Sequence, residues 1–147
     1  MPTRVDADAL HRARSARGLT QSQLARILDV AGGERVSEWE RGVRGPAVRL
    51  IPAVAAALGV SALEFLAMPN GVDLKALRLV SGKTLAEVAA QIHVSTATYL
   101  RWESGRQQAP KDPRVRRSLA RALGVRRPQL EAALDATTFD SPAPSDM

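Results

Sequence analysis

Two stretches of this chain repeat one another, and the repeat constrains the fold more than any other feature. Thr20 to Gly42 reads TQSQLARILDVAGGERVSEWERG, and Thr84 to Gly105 reads TLAEVAAQIHVSTATYLRWESG. In each, a threonine stands three residues before Gln23 or Glu87. At that spacing a hydroxyl and a returning amide or carboxylate side chain satisfy the free N–H groups of a helix start. Behind the cap, Leu24, Ala25 and Leu28 fall on one helical face, as do Val88, Ala89 and Ile92, and each run ends in a valine, Val30 or Val94. Ser95 can cap a following helix whose Tyr99 and Trp102 are spaced to reach the same core, leaving Thr96, Ala97, Thr98 and Arg101 facing out. Each copy is therefore expected to be a helix, a tight turn and a second helix. A period of about 64 residues makes the chain two small domains rather than one of ordinary size.

An alanine, a turn and a helix closing in Trp-Glu-x-Gly resembles the phage repressor and Cro (XRE-type) helix-turn-helix family, on Ala25 to Trp39-Glu40 and again on Ala89 to Trp102-Glu103. The resemblance covers most of the chain. It implies an all-α protein of two tandem five-helix lambda-repressor-like domains, binding double-stranded DNA as a repressor-like transcriptional regulator. In that family an arginine of helix 1 is bridged to the glutamate of the Trp-Glu pair, and the matching residues are Arg14 with Glu40 and Arg78 with Glu103. The base-reading positions it implies are Thr96, Ala97, Thr98 and Arg101, and the residue types suit them. Arginine bonds guanine in a bidentate way, threonine hydrogen-bonds or touches a thymine methyl, and alanine packs on that methyl. Without the motif, Arg101 would be a surface arginine on a polar face.

The first copy departs from this pattern. It holds Gly33, Glu34, Arg35 and Glu38 at the corresponding positions, and Glu38 stands where Arg101 does. Phosphates repel a carboxylate, although glutamate can accept from cytosine; Arg35 and Ser37 are the remaining base-reading candidates, with Arg41 and Arg44 beside them. Family members often open helix 2 with a phosphate-binding glutamine; Gln21 matches and the second copy has Leu85. Phosphate contacts are thus expected from Gln21, Arg44, Arg106, Gln107 and Lys111. The first turn is also one residue longer, since Ala25 to Trp39 is fourteen steps and Ala89 to Trp102 is thirteen. Its two glycines favour a looser turn before a third helix expected over Glu34 to Arg41.

Along the chain, helix 1 is expected from Asp6, with Leu10 and Ala13 inward and Gly18 as its stop. Val48, Ile51, Val54, Ala55 and Leu58 make an apolar stripe ended by Gly59, and Ser61 to Glu64 reads as a capping box opening a short helix anchored by Leu63 and Leu66. The expected division is a first domain over 1–68, a linker over 69–72, a second domain over 73–136 and a disordered tail over 137–147. In the second copy Leu74 and Leu77 are expected inward with Lys75 and Arg78 outward. Asp112-Pro113 caps a helix with Val115, Leu119, Ala122 and Leu123 inward, and Pro128 starts a last helix carrying Leu130 and Leu134.

Charge and composition narrow the function. Of the +6 net charge, the stretch from Arg101 to Arg127 carries nine Arg or Lys against Glu103 and Asp112, so the basic surface lies mainly in the second copy. A solvated charged face is the bland alternative; beside a recognition-type helix, a phosphate-binding surface is the better reading. Hydrophobic content of 45% with only 3% aromatic suits Ala/Leu/Val-rich helices. The chain has no cysteine, which removes disulfides, thiolate metal sites and thiol catalysis. His11 and His93 have no ligand partners at metal spacing, and no catalytic constellation or phosphate-cradling glycine loop occurs, so neither enzyme activity nor a cofactor is expected. The opening MPTRVDADAL lacks an apolar run, and no stretch approaches eighteen apolar residues. A soluble, cytoplasmic, nucleoid-associated protein is expected, with no membrane and no small-molecule ligand evident. A homodimer or a protein partner stays open. The rival functions are an antitoxin-like or adaptor protein whose first domain binds a protein, and an architectural protein coating DNA without sequence choice.

Overall fold

The computed structural model describes residues 5–69 and 71–140. The chain divides into two units, Met1–Ala67 and Met68–Met147. All the elements described are helical apart from an isolated antiparallel bridge between Val5 and Leu66.

In the first unit Asp6 accepts from the Ala9 N–H and opens α1 (Ala7–Arg17), which Gly18 ends in the left-handed conformation at φ 77°. Thr20 and Gln23 close their capping box and start α2 (Gln21–Leu28). After the turn comes α3 (Gly33–Glu40), one residue earlier at each end than the spacing suggests. A 3-10 turn (Val48–Leu50) runs into α4 (Ile51–Leu58), so Val48 is half-buried in the turn while Ile51, Val54 and Leu58 carry the buried stripe. The expected short helix at Ser61 is a single 3-10 turn (Ala62–Glu64). Ser61 caps Leu63 N–H, and the anchors are Ala62, Phe65 and Leu66, with Leu63 only half-buried. The Asp6 N–H donates to the Phe65 carbonyl at 2.8 Å, tying the start of the unit to its end.

The second unit repeats the plan and extends it. Asp73 caps α5 (Leu74–Ser81), and the Thr84–Glu87 capping box starts α6 (Leu85–Gln91). Ser95 accepts from the Thr98 N–H and starts α7 (Thr96–Glu103). Asp112, with Pro113 in the first turn, opens α8 (Pro113–Leu123), whose Leu119, Ala122 and Leu123 face the core. Then α9 runs Arg127–Asp140. It packs on α5 and α8, passing through Thr137 where the composition suggests a tail. Thr137 is buried; its hydroxyl accepts from the Leu74 N–H at 2.8 Å and donates to the Ala133 carbonyl. A buried threonine with both capacities satisfied belongs to the fold, so the tail expectation fails there. The rest of that expected tail, 141–147, lies outside the described residues.

Leu74, Val88, Tyr99, Leu119 and Leu130 are fully buried in one apolar cluster. Tyr99 and Trp102 meet edge to face, centroids 6.2 Å apart, an arrangement worth about 1 kcal/mol beyond the buried area. Among the described residues, the Tyr99 hydroxyl and Trp102 indole N–H are buried with no hydrogen-bond partner. Burial, and then the Glu103 carboxylate, push the Tyr99 phenol far above its usual pKa, so it stays protonated.

Candidate nucleic-acid interface

The helices that follow the two turns, α3 and α7, are mounted alike. After α2 and α6 one residue turns left-handed, Asp29 at φ 56° and His93 at φ 61°, and the following valine N–H, Val30 or Val94, returns to the carbonyl of Ala25 or Ala89 at 3.0 Å. From there the copies differ. Ser95 caps α7 with its hydroxyl, whereas the extra residue in the first copy leaves Gly32 before α3 with no side-chain cap. Gly33 then lies so close to α2 that a Cβ would stand 2.8 Å from the Ser22 hydroxyl oxygen and 3.2 Å from its backbone nitrogen. A side chain there would have to push Ser22 aside, and with glycine the position matching Thr96 presents backbone and no side chain.

Each helix is braced from behind by an Arg–Glu pair. Arg78 bonds Glu103 through Nε at 2.7 Å and Nη2 at 2.9 Å and donates from Nη1 to the Lys83 carbonyl. Arg14 reaches both oxygens of Glu40 and donates to the Leu19 carbonyl at 2.7 Å. Arg78, placed outward by its spacing from Lys75, is instead only 2% exposed. Each of its three nitrogens has a carboxylate or carbonyl partner, which makes burial of a guanidinium tolerable. In the first unit the bracing is broader, since His11 Nδ1 at 2.9 Å and Gln21 Nε2 at 3.1 Å also contact Glu40 Oε1. Burial disfavours the Glu40 carboxylate, but hydrogen bonds from Arg14, His11 and Gln21 outweigh it and hold its pKa below the usual range. Gln21 is thus engaged inside the unit, while Leu85 at the matching place packs on the core.

The outward faces differ most. On α7, Thr96, Ala97 and Arg101 are exposed, as is Leu100, which helical spacing alone did not single out. The Arg101 guanidinium is held on two sides: Nε donates to Gln107 Oε1 at 3.1 Å and Nη2 to Thr98 Oγ1 at 3.2 Å. Thr98 is itself anchored by the Ser95 hydroxyl at 2.8 Å. The backbone N–H groups of Arg106 and Gln107 return to the Arg101 carbonyl, fixing the loop that carries Gln107. Arg106 and Lys111 are exposed on that loop. On α3 the matching carboxylate, Glu38, lies 3.5 Å from Arg35 and 3.7 Å from Arg44, and Ser37 accepts from Arg41 at 3.2 Å. The structure therefore gathers Thr98, Arg101 and Gln107 into one network, and Arg35 and Arg44 around Glu38. Neither Gln107 as partner of Arg101 nor Leu100 as an exposed residue has a signal in the capping pattern.

Comparison with known proteins decides what this geometry is. A family profile described as "Helix-turn-helix domain" matches residues 71–134, and one described as "Helix-turn-helix" matches residues 10–65. This chain belongs to the XRE-like helix-turn-helix family, in two copies. No curated protein and no solved structure matches it. As a helix-turn-helix protein it presents α3 and α7 as its second, outward helices, and among the described residues no helix is long and apolar enough to cross a membrane.

Proposed function

We propose that this helix-turn-helix protein is a sequence-specific regulator of transcription, repressor-like, whose second unit supplies most of the base readout in the major groove of double-stranded DNA. One observation carries the reading. Arg101 is exposed on α7 and pre-set by Thr98 and Gln107, while its counterpart Glu38 is a carboxylate already occupied by Arg35 and Arg44. A guanidinium whose orientation is fixed before binding loses less freedom on bonding guanine. Thr96 and Ala97 flank it as base contacts, and Thr98 acts as a positioning residue. Arg106, Gln107 and Lys111 follow the helix as phosphate contacts. In the first unit Gln21, Arg35, Ser37 and Arg44 are phosphate or base contacts of lesser weight, because Gln21 is bonded to Glu40 and the charge of Arg35 and Arg44 is shared with Glu38. That same internal pairing favours a second role for the first unit, as a docking surface for a protein partner.

Selection of bound duplexes from a random library at physiological salt, with the full chain, tests the proposal. An enriched site containing guanine is the expected result, and its loss of enrichment with Arg101→Ala assigns the reader. No enrichment, with steep salt dependence, would replace sequence reading by general coating of DNA.

A further inference from the structure

Leu100 is 46% exposed and takes no part in the apolar cluster of its unit, where Tyr99 and Trp102 from the same helix do the packing. On α7 it shares one outward stripe with Ala97, Arg101 and Ser104, all exposed and spaced three, one and four residues from it. Helix propensity does not require leucine there, because Arg, Lys, Gln and Glu support an exposed helical site about as well and are better hydrated. Ala97, one turn back, lies between Leu100 and Arg101 on that exposed face, so a base edge that meets both Ala97 and Arg101 comes next to Leu100.

We infer that Leu100, with Ala97, is a specificity-determining apolar contact that reads the 5-methyl group of a thymine beside the base bonded by Arg101. This rests on the proposed reading of DNA by α7. The chemistry is selective: of the groups four natural base pairs display in the major groove, the thymine methyl is the one that is apolar. Leu100 closes over it by excluding water and makes no hydrogen bond, so it distinguishes thymine from cytosine and from uracil by the methyl alone. Ser37, the matching residue on α3, is half-buried and accepts from Arg41, so the first unit has no equivalent.

The test uses the full chain and its selected duplex, with each thymine replaced in turn by deoxyuridine. That change removes a methyl and leaves every hydrogen-bonding edge intact. Wild type is expected to lose affinity about threefold to tenfold at one thymine. Leu100→Ala is expected to bind the parent duplex more weakly by a similar factor and to lose its sensitivity at that thymine, while keeping its preference for the guanine. Because Leu100 is exposed, its variant keeps its unfolding transition, which thermal denaturation checks. Equal sensitivity of both proteins to deoxyuridine, or no sensitivity in wild type, overturns the assignment while leaving readout by α7 intact. If no duplex is selected at all, the proposed function fails and this inference with it.

Discussion

Glu38 of α3 and Arg101 of α7 occupy the same place on two helices that are otherwise mounted alike. Behind both lie the same left-handed turn, the same valine N–H returning to an alanine carbonyl, a buried tryptophan and an Arg–Glu pair. In front, one copy presents an arginine aligned by neighbours. The other presents a carboxylate that holds two arginines to itself. The lesson is that the mounting of a helix and its outward face are separable: a helix can be kept in position by residues behind it, and the outward face is then free to diverge. The copies also finish differently. A backbone bond from Asp6 to Phe65 closes the first, and α9, with Thr137 on the Leu74 N–H, closes the second.

The largest effect separating the units should come from the braces. Glu103→Ala leaves Arg78 buried and uncompensated, and is expected to destabilise the second unit by about 3 kcal/mol. Glu40→Ala should cost less, about 2 kcal/mol, because Arg14 is nearer the surface. Urea unfolding followed by tryptophan fluorescence measures both, since each unit holds one buried tryptophan. Equal costs would remove the distinction between the braces. The Glu40 brace also sets a pH dependence. Its folded pKa is depressed, so its contribution is fully present above the unfolded carboxylate pKa of about 4.3 and is lost as pH falls through the folded value. Wild type and Glu40→Gln, distinguishable by melting temperature at neutral pH, should converge in acid.

Smaller effects sharpen the comparison of outward faces. Gln107→Ala and Thr98→Val each release one side of Arg101, and are expected to weaken binding to the selected duplex about threefold to fivefold without changing its sequence preference. Fluorescence anisotropy gives the affinities, and a changed preference would make Thr98 a direct reader. Lys111→Gln should be smallest at any one salt concentration, lowering affinity evenly across sequences and reducing the slope of log K against log salt by about 0.9.

Much of the fold is legible because its signals are local. The Thr20 and Thr84 boxes, the Ser95 cap and the stops at Gly18 and Gly59 depend on residues within one helical turn. Arg78 could not be placed by spacing, because what buries it is Glu103, 25 residues on. Thr137 reads as tail by composition, and only its distant bond to Leu74 makes it core. Leu66 anchors as expected, but Phe65 takes the place of Leu63 because one 3-10 turn rotates its side chains differently from the α-helix a capping box suggests. The outward positions of α7 were readable as positions. The network around Arg101 was not, because Gln107 comes from the loop beyond the helix. Nor did spacing disclose that Gly33 is pressed against Ser22 or that Glu38 sits between Arg35 and Arg44.

The central claim is the division of labour between α7 and α3. It is tested most directly by measuring the affinities of Arg101→Ala and Glu38→Ala for the selected duplex, side by side with wild type. Arg101→Ala is expected to lose about tenfold to a hundredfold, the worth of a bidentate contact to guanine. Glu38→Ala, by freeing Arg35 and Arg44, should leave affinity unchanged or raise it slightly. A loss from Glu38→Ala as large as from Arg101→Ala would contradict the account and make α3 a reader in its own right.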